Sequence, residues 1–152
     1  MNTPDMKHYR SRDAHFELNV PRRWNPFPPV PTNSPAELLR FASEEGGSPL
    51  LIIFRGPHNP NQSLQEVLGR VRQVLAKKKC GNFTSGETSI GSRTAPTLDF
   101  DKLQGDVFWS CRYYFVAGET LKYVLGFGTT TNKADMWQLF DRVAKTFEFL
   151  SR

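Results

Sequence analysis

The chain has 152 residues, which is enough for one domain that buries a sizeable core without a disulfide or a metal. Lysine and arginine outnumber aspartate and glutamate by 20 to 15, which gives a net charge of +5 and a pI near 9.4. This balance excludes an acidic, solvating chain. The longest apolar run, residues 49–54, is far shorter than the about 20 residues that span a bilayer.

The N-terminal residues 1–13 are polar and contain no apolar segment of the kind found in a signal peptide. We predict a single domain over residues 1–152, with a flexible segment over residues 1–13. We expect a cytoplasmic protein if Met1 is the native start. We expect an exported protein if Met1 replaces a removed leader.

Strands are predicted where polar and apolar side chains alternate. In residues 15–20, for example, Phe16, Leu18 and Val20 would share one face. Residues 50–55 are apolar at most positions, which indicates a central strand that is covered on both faces. The predicted strands are residues 15–20, 37–42, 50–55, 83–90, 93–101, 107–115 and 121–127.

Two helices are predicted from apolar residues at helical spacing. Ser63 lies three residues before Glu66, the spacing of a capping box, so the first helix is predicted over Ser63–Lys79. Asn132 is the candidate N-cap of a second helix over Lys133–Phe147. The apolar stripe of the first helix comprises Leu64, Val67, Leu68, Val71, Val74 and Leu75.

The order of these elements predicts the fold class. Strands in a run, separated by two helices, are typical of an α+β domain. We therefore predict a mostly antiparallel sheet that is flanked by the two helices.

No motif indicates catalysis, a metal or a cofactor. His8, His15 and His58 are far apart and lack metal-ligand spacing. The glycines of Gly126-Phe127-Gly128 lie in an aromatic strand, where glycine more often lets a helix or another backbone approach closely than binds phosphate. Asp99 and Asp101 are typical of a strand end and a turn. We therefore predict no metal, no cofactor and no enzymatic activity.

The two cysteines have different predicted surroundings. Cys111 falls on the apolar face of a strand, where we expect an inert thiol with a raised pKa. Cys80 follows Lys77–Lys79, whose charge would lower the thiol pKa, whereas the dipole of the helix C-terminus would oppose this effect. A disulfide between Cys80 and Cys111 is the alternative, and two cysteines do not decide the redox compartment.

The Pro-rich segment Pro21–Pro35 cannot form a helix or a central strand, because proline supplies no backbone donor. Its apolar side chains therefore either pack on the sheet or form a binding surface. We expect residues 27–30 to be partly exposed, whereas the family resemblance described below implies that Trp24 is packed. Rigid loops lose little entropy on binding, which suits recognition of a protein partner. The predicted partner-binding residues are Arg22, Arg23, Phe27 and Val30.

The basic clusters do not predict nucleic-acid binding. The densest clusters are Arg22-Arg23 and Lys77–Lys79. A nucleic-acid surface would place exposed aromatic residues between such clusters. Most aromatic residues here have core periodicity, so we predict no nucleic-acid partner.

Several segments resemble one known superfamily. The segment His15–Trp24, a short apolar strand followed by Pro-x-x-Trp, resembles the opening of PsbP-type domains. The aromatic strand Cys111–Phe115, the following Lys122–Leu125 and the closing helix Trp137–Phe147 resemble the same PsbP/Mog/DcrB-like superfamily. This superfamily includes photosystem PsbP, the Ran-binding Mog protein, bacterial DcrB and the Eag chaperones of type VI secretion. The resemblance implies an α/β/α sandwich and an accessory or chaperone-like role.

Features of particular members do not carry over to this chain. An acidic surface of the Mog type does not fit a basic chain, and the metal-binding His and Asp positions of PsbP have no match. The leading expectation is a non-catalytic protein-binding module. The alternative is a small-molecule or lipid-binding domain, which would have a large apolar pocket with few polar groups between sheet and helix. The sequence leaves the partner and the oligomeric state open.

Overall fold

The computed structural model describes residues 5–131 and 133–150, which form ten strands and two helices. The strands are β1 (Met6–Ser11), β2 (Phe16–Pro21), β3 (Asn25–Phe27), β4 (Glu37–Ala42), β5 (Leu50–Pro57), β6 (Gly81–Ile90), β7 (Arg93–Gln104), β8 (Val107–Ala117), β9 (Leu121–Thr129) and β10 (Glu148–Phe149). The helices are α1 (Leu64–Lys77) and α2 (Lys133–Lys145).

The strands form two antiparallel sheets. The large sheet has seven strands in the order β3-β4-β5-β9-β8-β7-β6, and the small sheet has the order β1-β2-β10. β5 lies between β4 and β9, which confirms its predicted central position. The predicted α+β class, a mostly antiparallel sheet flanked by two helices, is also confirmed.

The large sheet is the middle of three layers. The small sheet and α2 cover one face, where Phe16 and Leu18 of β2 are buried together with Phe140 and Val143 of α2. On the opposite face, α1 packs mainly over β7 and β8. The buried residues of this second cluster include Val67, Leu68, Leu98, Phe100 and Phe115. No helix in the described ranges is long and apolar enough to cross a membrane.

A strand lies within residues 1–13, the segment that the sequence predicted to be flexible. Met6–Ser11 forms β1 and pairs along its whole length with β2. Met6 and Tyr9 pack against the core, and the ring of Tyr9 meets that of Phe41 edge-on with centroids 4.9 Å apart. Pairing with β2 therefore orders a segment whose own sequence is mostly polar. Residues 1–4 lie outside the described part.

Both helices end earlier than predicted. The N-cap of α1 is confirmed, because Ser63 Oγ accepts a hydrogen bond of 3.1 Å from the amide of Glu66. α1 ends at Lys77, and α2 ends at Lys145, where Thr146 instead bonds through its hydroxyl to β2. The candidate N-cap of α2, Asn132, lies outside the described residues.

Candidate functional site

A groove of about 530 Å³ lies between α1 and the large sheet. It exists because α1 covers β7 and β8 but leaves the adjacent part of the same sheet face, on β9 and β5, uncovered. We call it the α1 groove. Its apolar lining includes Phe54, Val67, Val71, Val74, Tyr113 and Val124.

The helical wall of the α1 groove is the apolar stripe that was predicted from the sequence. The sheet covers only the first half of this stripe, since Val67 and Leu68 are buried whereas Val74 is 52% exposed. The wall extends from Val67 to Lys78, which is about 16 Å along a helix axis. The groove is therefore long and narrow, and an elongated ligand fits it best.

The floor of the α1 groove depends on Gly126. This residue lies on β9 between Ile52 of β5 and Tyr113 of β8. The rings of Phe54 and Tyr113 approach over it, with centroids 5.9 Å apart. A Cβ at this position would lie 2.8 Å from Tyr113 and 3.1 Å from Phe54. The sequence predicted that a helix or another backbone approaches the glycines of this strand; at Gly126 the approaching groups are instead aromatic side chains.

Four cationic side chains border the apolar lining. In the part of the chain that the structure describes, the lining contains no carboxylate, and none of the four takes part in an ion pair. Unpaired charges of one sign beside an apolar cleft create a potential that attracts an anion. The four residues are Arg70, Lys78, Lys102 and Lys122.

These cations lie at both ends of the α1 groove. Lys78 and Lys102 lie beside the Cys80 thiol, where α1 ends. Lys122 is the register partner of Gly56, near the end of β5 from which the chain leads into α1. A ligand with one charged end could therefore bind in either direction.

The two cysteines are buried free thiols, and Cys80 lines the α1 groove. Burial raises the pKa of Cys80, although Lys102 and Lys78 partly oppose this effect. Burial also raises the pKa of Cys111, to about 12, which confirms the inert thiol predicted there. The disulfide alternative is not formed in this structure.

The four residues predicted to contact a protein partner lie along the connection into β3 and the loop that follows it. Arg22 Nε donates to the carboxylate of Asp5 over 2.7 Å, so the charge of Arg22 is already paired. Arg23 is exposed. Phe27 is half-buried at the end of β3, and Val30 is 38% exposed. Contact of these residues with a partner stays a prediction.

Glu37 anchors the loop that carries Val30, and sequence reasoning missed this role. Its buried carboxylate accepts hydrogen bonds from the Val30 amide (2.9 Å), from Asn33 Nδ2 (2.8 Å) and from the Arg40 guanidinium. Burial by itself raises the pKa of Glu37, but the hydrogen bonds from Arg40, Asn33 and Val30 outweigh burial and hold this pKa below its usual value. The loop is therefore held in one conformation, and Trp24 before it is buried as predicted.

A second polar cluster lies between β8 and α2. Arg112 binds the carboxylates of Asp99 and Asp141, and the Tyr114 hydroxyl donates to Asp141. Burial and the bond to Asp141 raise the pKa of Tyr114. Every charged group of the cluster already has a partner, so the arrangement fixes α2 on the sheet and leaves no free group for acid–base work.

A wider cavity of about 790 Å³ opens on the opposite face of the large sheet, beside β10. There the Arg93 guanidinium stacks on Phe149 at 4.5 Å and donates to the Ala117 carbonyl over 3.1 Å. Its lining also contains Glu119 and Glu148. Arg93 is already bound to Phe149 and Ala117, and the cavity lining carries both positive and negative charges. The α1 groove is therefore the better candidate for a binding site.

The histidines do not converge on a common site. His8 bonds through its ring to Asn19 at 2.9 Å, whereas His15 lies beside the wider cavity and His58 lies in the loop before α1. Across residues 5–131 and 133–150, no group of three or more His, Cys, Asp or Glu residues could hold a metal ion.

The fold is shared with solved structures of low sequence identity. Cyanobacterial PsbP (CyanoP) from Synechocystis sp. PCC 6803 matches with a TM-score of 0.75 and 16% identity, over 97% of this chain and 94% of that chain. LpqN of Mycobacterium tuberculosis, described as involved in cell envelope biogenesis, matches with a TM-score of 0.61 and 12% identity, over 99% of this chain and 93% of that chain. A protein of Bacteroides thetaiotaomicron VPI-5482 matches with a TM-score of 0.64 and 15% identity, over 96% of this chain and 49% of that one.

In sequence, the chain matches no protein-family profile and no curated protein. The PsbP-like fold that the sequence resemblance implied is confirmed by the structural matches. At identities this low, the matches establish the fold alone, so function has to be argued from the groove and the surface.

Proposed function

We propose that this chain is a non-catalytic binding module whose site is the α1 groove, and that its ligand is a small, elongated amphiphile with an anionic group, such as a fatty acid. The observation that carries the proposal is the apolar groove bordered by four unpaired cations. Its volume, about 530 Å³, lies within the range of small-molecule sites, roughly 300–1,000 Å³.

The apolar side chains of the α1 groove supply the affinity. Val71 and Val74 lie on a helix face that is partly exposed to solvent. An acyl chain would displace this water along the groove, and each buried methylene contributes about 0.8 kcal/mol. The cations supply selectivity, because they gain a partner only when the ligand carries negative charge.

A displacement experiment with a chain-length series tests this function. Bound 1-anilinonaphthalene-8-sulfonate, an apolar anionic dye, is displaced by fatty acids of increasing length and by the fatty alcohols of equal length. We expect affinity to rise about threefold to fourfold per methylene and then to level off when the groove is full. We also expect each acid to bind at least about tenfold better than its alcohol at low salt. Equal binding of acid and alcohol would overturn the anionic ligand, and no displacement would overturn the site.

Variants connect this binding to the α1 groove. Val71→Asp places a carboxylate in the apolar wall and should abolish dye binding, whereas Val30→Asp, on an exposed valine outside the groove, is the matched control. Lys78→Gln and Lys122→Gln remove one cation from each end. The variant that weakens acid binding without changing alcohol binding identifies the end that holds the charge.

A protein partner at the β3 edge is a second candidate function. It is favoured by the loop that Glu37 anchors, which holds Val30 in a fixed and exposed position after Phe27. A rigid apolar surface suits protein recognition. Binding of a protein partner and binding of a groove ligand can be tested separately, because the α1 groove contains none of the predicted partner-binding residues. These are Arg22, Arg23, Phe27 and Val30.

The second candidate is tested with the exposed pair Arg23→Gln/Val30→Ser, since neither side chain supports the core. Phe27→Ser is measured separately, together with its melting temperature, because Phe27 is half-buried. A native-host partner that binds the wild type and Val71→Asp, but not the Arg23/Val30 variant, would support this surface. A partner that the Arg23/Val30 variant retains would overturn it.

A further inference from the structure

A two-stranded ribbon extends from the large sheet at the turn between β7 and β8. The pairing of β6 with β7 ends at Asp101, and the pairing of β9 with β8 ends at Ser110. Within the described chain, residues 102–109 therefore pair only with one another, around a two-residue turn in which Gly105 has a φ of 62°. We call residues 102–109 the ribbon tip.

The ribbon tip carries apolar side chains that are exposed to solvent and do not pack in the core. Leu103 is 65% exposed, Val107 47% and Phe108 56%, which makes three of the five large exposed apolar residues of the described chain. An isolated two-stranded ribbon gains little stability from such residues in water. Apolar side chains concentrated on one exposed element indicate a contact surface.

Lysines surround the base of the ribbon tip. Lys77, Lys78 and Lys79 are exposed where α1 ends, and Lys78 and Lys102 both lie near Cys80. Of the nearby carboxylates, Asp101 accepts a hydrogen bond from Asn82 over 2.9 Å, and Asp106 is exposed in the turn. The surroundings of the apolar tip are therefore predominantly cationic.

We propose that the ribbon tip docks this chain on the surface of an anionic lipid bilayer, with Leu103, Val107 and Phe108 entering the interfacial region and the lysines contacting the lipid phosphates. The exposed apolar residues point to both sides of the ribbon, because Leu103 and Phe108 pair on one face and Val107 lies on the other. A fluid interface can surround a ribbon on both sides, whereas a flat protein surface would cover only one.

Docking would also bring one end of the α1 groove to the membrane, since Lys102 and Leu103 line that groove. This consequence rests on the proposed function, but the docking itself does not. The two are distinguished by variants at Val107 and Phe108, which do not line the groove.

Cosedimentation with phosphatidylcholine vesicles, with and without phosphatidylglycerol, tests the docking. We expect at least about tenfold stronger binding to the anionic vesicles, weakened by salt, and a blue shift of tryptophan emission from Trp109 in the tip. Val107→Ser/Phe108→Ser should reduce the partition coefficient of the protein between vesicles and water about tenfold or more, whereas Val30→Ser should leave this coefficient unchanged. The Val107/Phe108 variant should still bind the anionic dye in the α1 groove.

Charge variants distinguish docking through the ribbon tip from nonspecific electrostatic binding of the protein to vesicles. Lys77→Gln/Lys79→Asn should reduce vesicle binding by about tenfold or more, and Asn suits position 79 because Lys79 has a φ of 65°. Arg142→Gln/Lys145→Gln, which removes the same charge from the last turn of α2, is the control. Asp106→Asn should strengthen binding. The proposal is overturned if the tip variants bind like the wild type, if neither vesicle binds, or if the tip instead mediates self-association in sedimentation experiments.

Discussion

Arg112 on β8 and Asp99 on β7 are register partners, and their side chains form a bidentate ion pair with N–O distances of 2.7 and 2.8 Å. Arg112 also donates to Asp141 on α2 over 3.2 Å, and its guanidinium carbon lies 5.1 Å from the centroid of the Trp137 ring. One side chain thus connects two strands to the helix above them. This connection determines how α2 is seated on the large sheet.

Replacing Arg112 should therefore destabilise the fold. Arg112→Ala leaves Asp99 and Asp141 without a counter-charge, and we expect it to lower the free energy of unfolding by about 2–4 kcal/mol. Arg112→Lys should recover only part of this loss, because an ammonium cannot form the bidentate pair. Urea denaturation measures both changes. Arg142→Ala, at an exposed position of α2, is the control and should change stability by less than about 0.5 kcal/mol. Wild-type stability of Arg112→Lys would contradict the bidentate role.

The stability that Glu37 gives to the loop carrying Val30 should decrease in acid. The folded pKa of Glu37 is held below its usual value of 4.5. Its contribution to stability is therefore complete above the unfolded pKa and is lost as the pH falls through the lower folded pKa. We expect the stability of the wild type to fall more steeply below about pH 4.5 than that of Glu37→Gln. Denaturation at a series of pH values measures this difference.

A local measurement complements the acid series. The Val30 amide donates to Glu37, so its protection from hydrogen exchange should decrease in Glu37→Gln and, for the wild type, at low pH. Glu45→Gln, at an exposed position, should leave the protection unchanged. Identical acid profiles for wild type and Glu37→Gln would show that this carboxylate does not anchor the loop.

Most of the large sheet could be predicted from the sequence, because its strands bury side chains in alternation. β1 could not be predicted from its own sequence. Met6–Ser11 is ordered by pairing with β2 and by the contact of Tyr9 with Phe41, and both partners lie outside the segment itself. β3 contains Pro26, which is tolerated because β3 is an edge strand of the large sheet. Such nonlocal pairing leaves little local signal.

An apolar pocket between sheet and helix was the alternative that the sequence predicted, but the position of the α1 groove could not be predicted, for a similar reason. Val67 and Val74 belong to the same stripe by spacing, but one is 7% and the other 52% exposed. Which half of the stripe is covered depends on where α1 crosses the sheet, and helical periodicity does not contain this information. The cations of the groove come from several elements that are distant along the chain, so no local pattern identifies them.

Gly126 should be required for the groove floor as well as for stability. In Gly126→Ala, the new methyl group would meet the rings of Tyr113 and Phe54, which must then move apart. We expect a loss of about 1–3 kcal/mol in stability and weaker binding of the anionic dye. Gly69→Ala in α1, where no atom lies within 4 Å of the added Cβ, should instead stabilise the protein by up to about 1 kcal/mol. Unchanged stability of Gly126→Ala would mean that the rings relax without cost.

Cys80 offers a direct report on whether the α1 groove is occupied. It lines the groove, whereas Cys111 is not among its lining residues. Burial raises the pKa of both thiols, that of Cys111 to about 12, so Cys111 stays protonated at pH 8. We expect slow alkylation by iodoacetamide, slower at Cys111 than at Cys80, with rates that rise with pH as the thiolate fraction increases.

A ligand in the groove should slow the reaction at Cys80 further, because it covers the path of the reagent to the sulfur. Peptide mass spectrometry after timed alkylation measures the two sites separately, and Cys80→Ser gives the rate of Cys111 alone. Addition of a long-chain fatty acid should protect Cys80 and leave the slow rate at Cys111 unchanged. The same addition should not protect Cys80 in Val71→Asp, since that variant cannot hold the ligand. Protection of Cys80 that persists in Val71→Asp would place the ligand elsewhere on the protein.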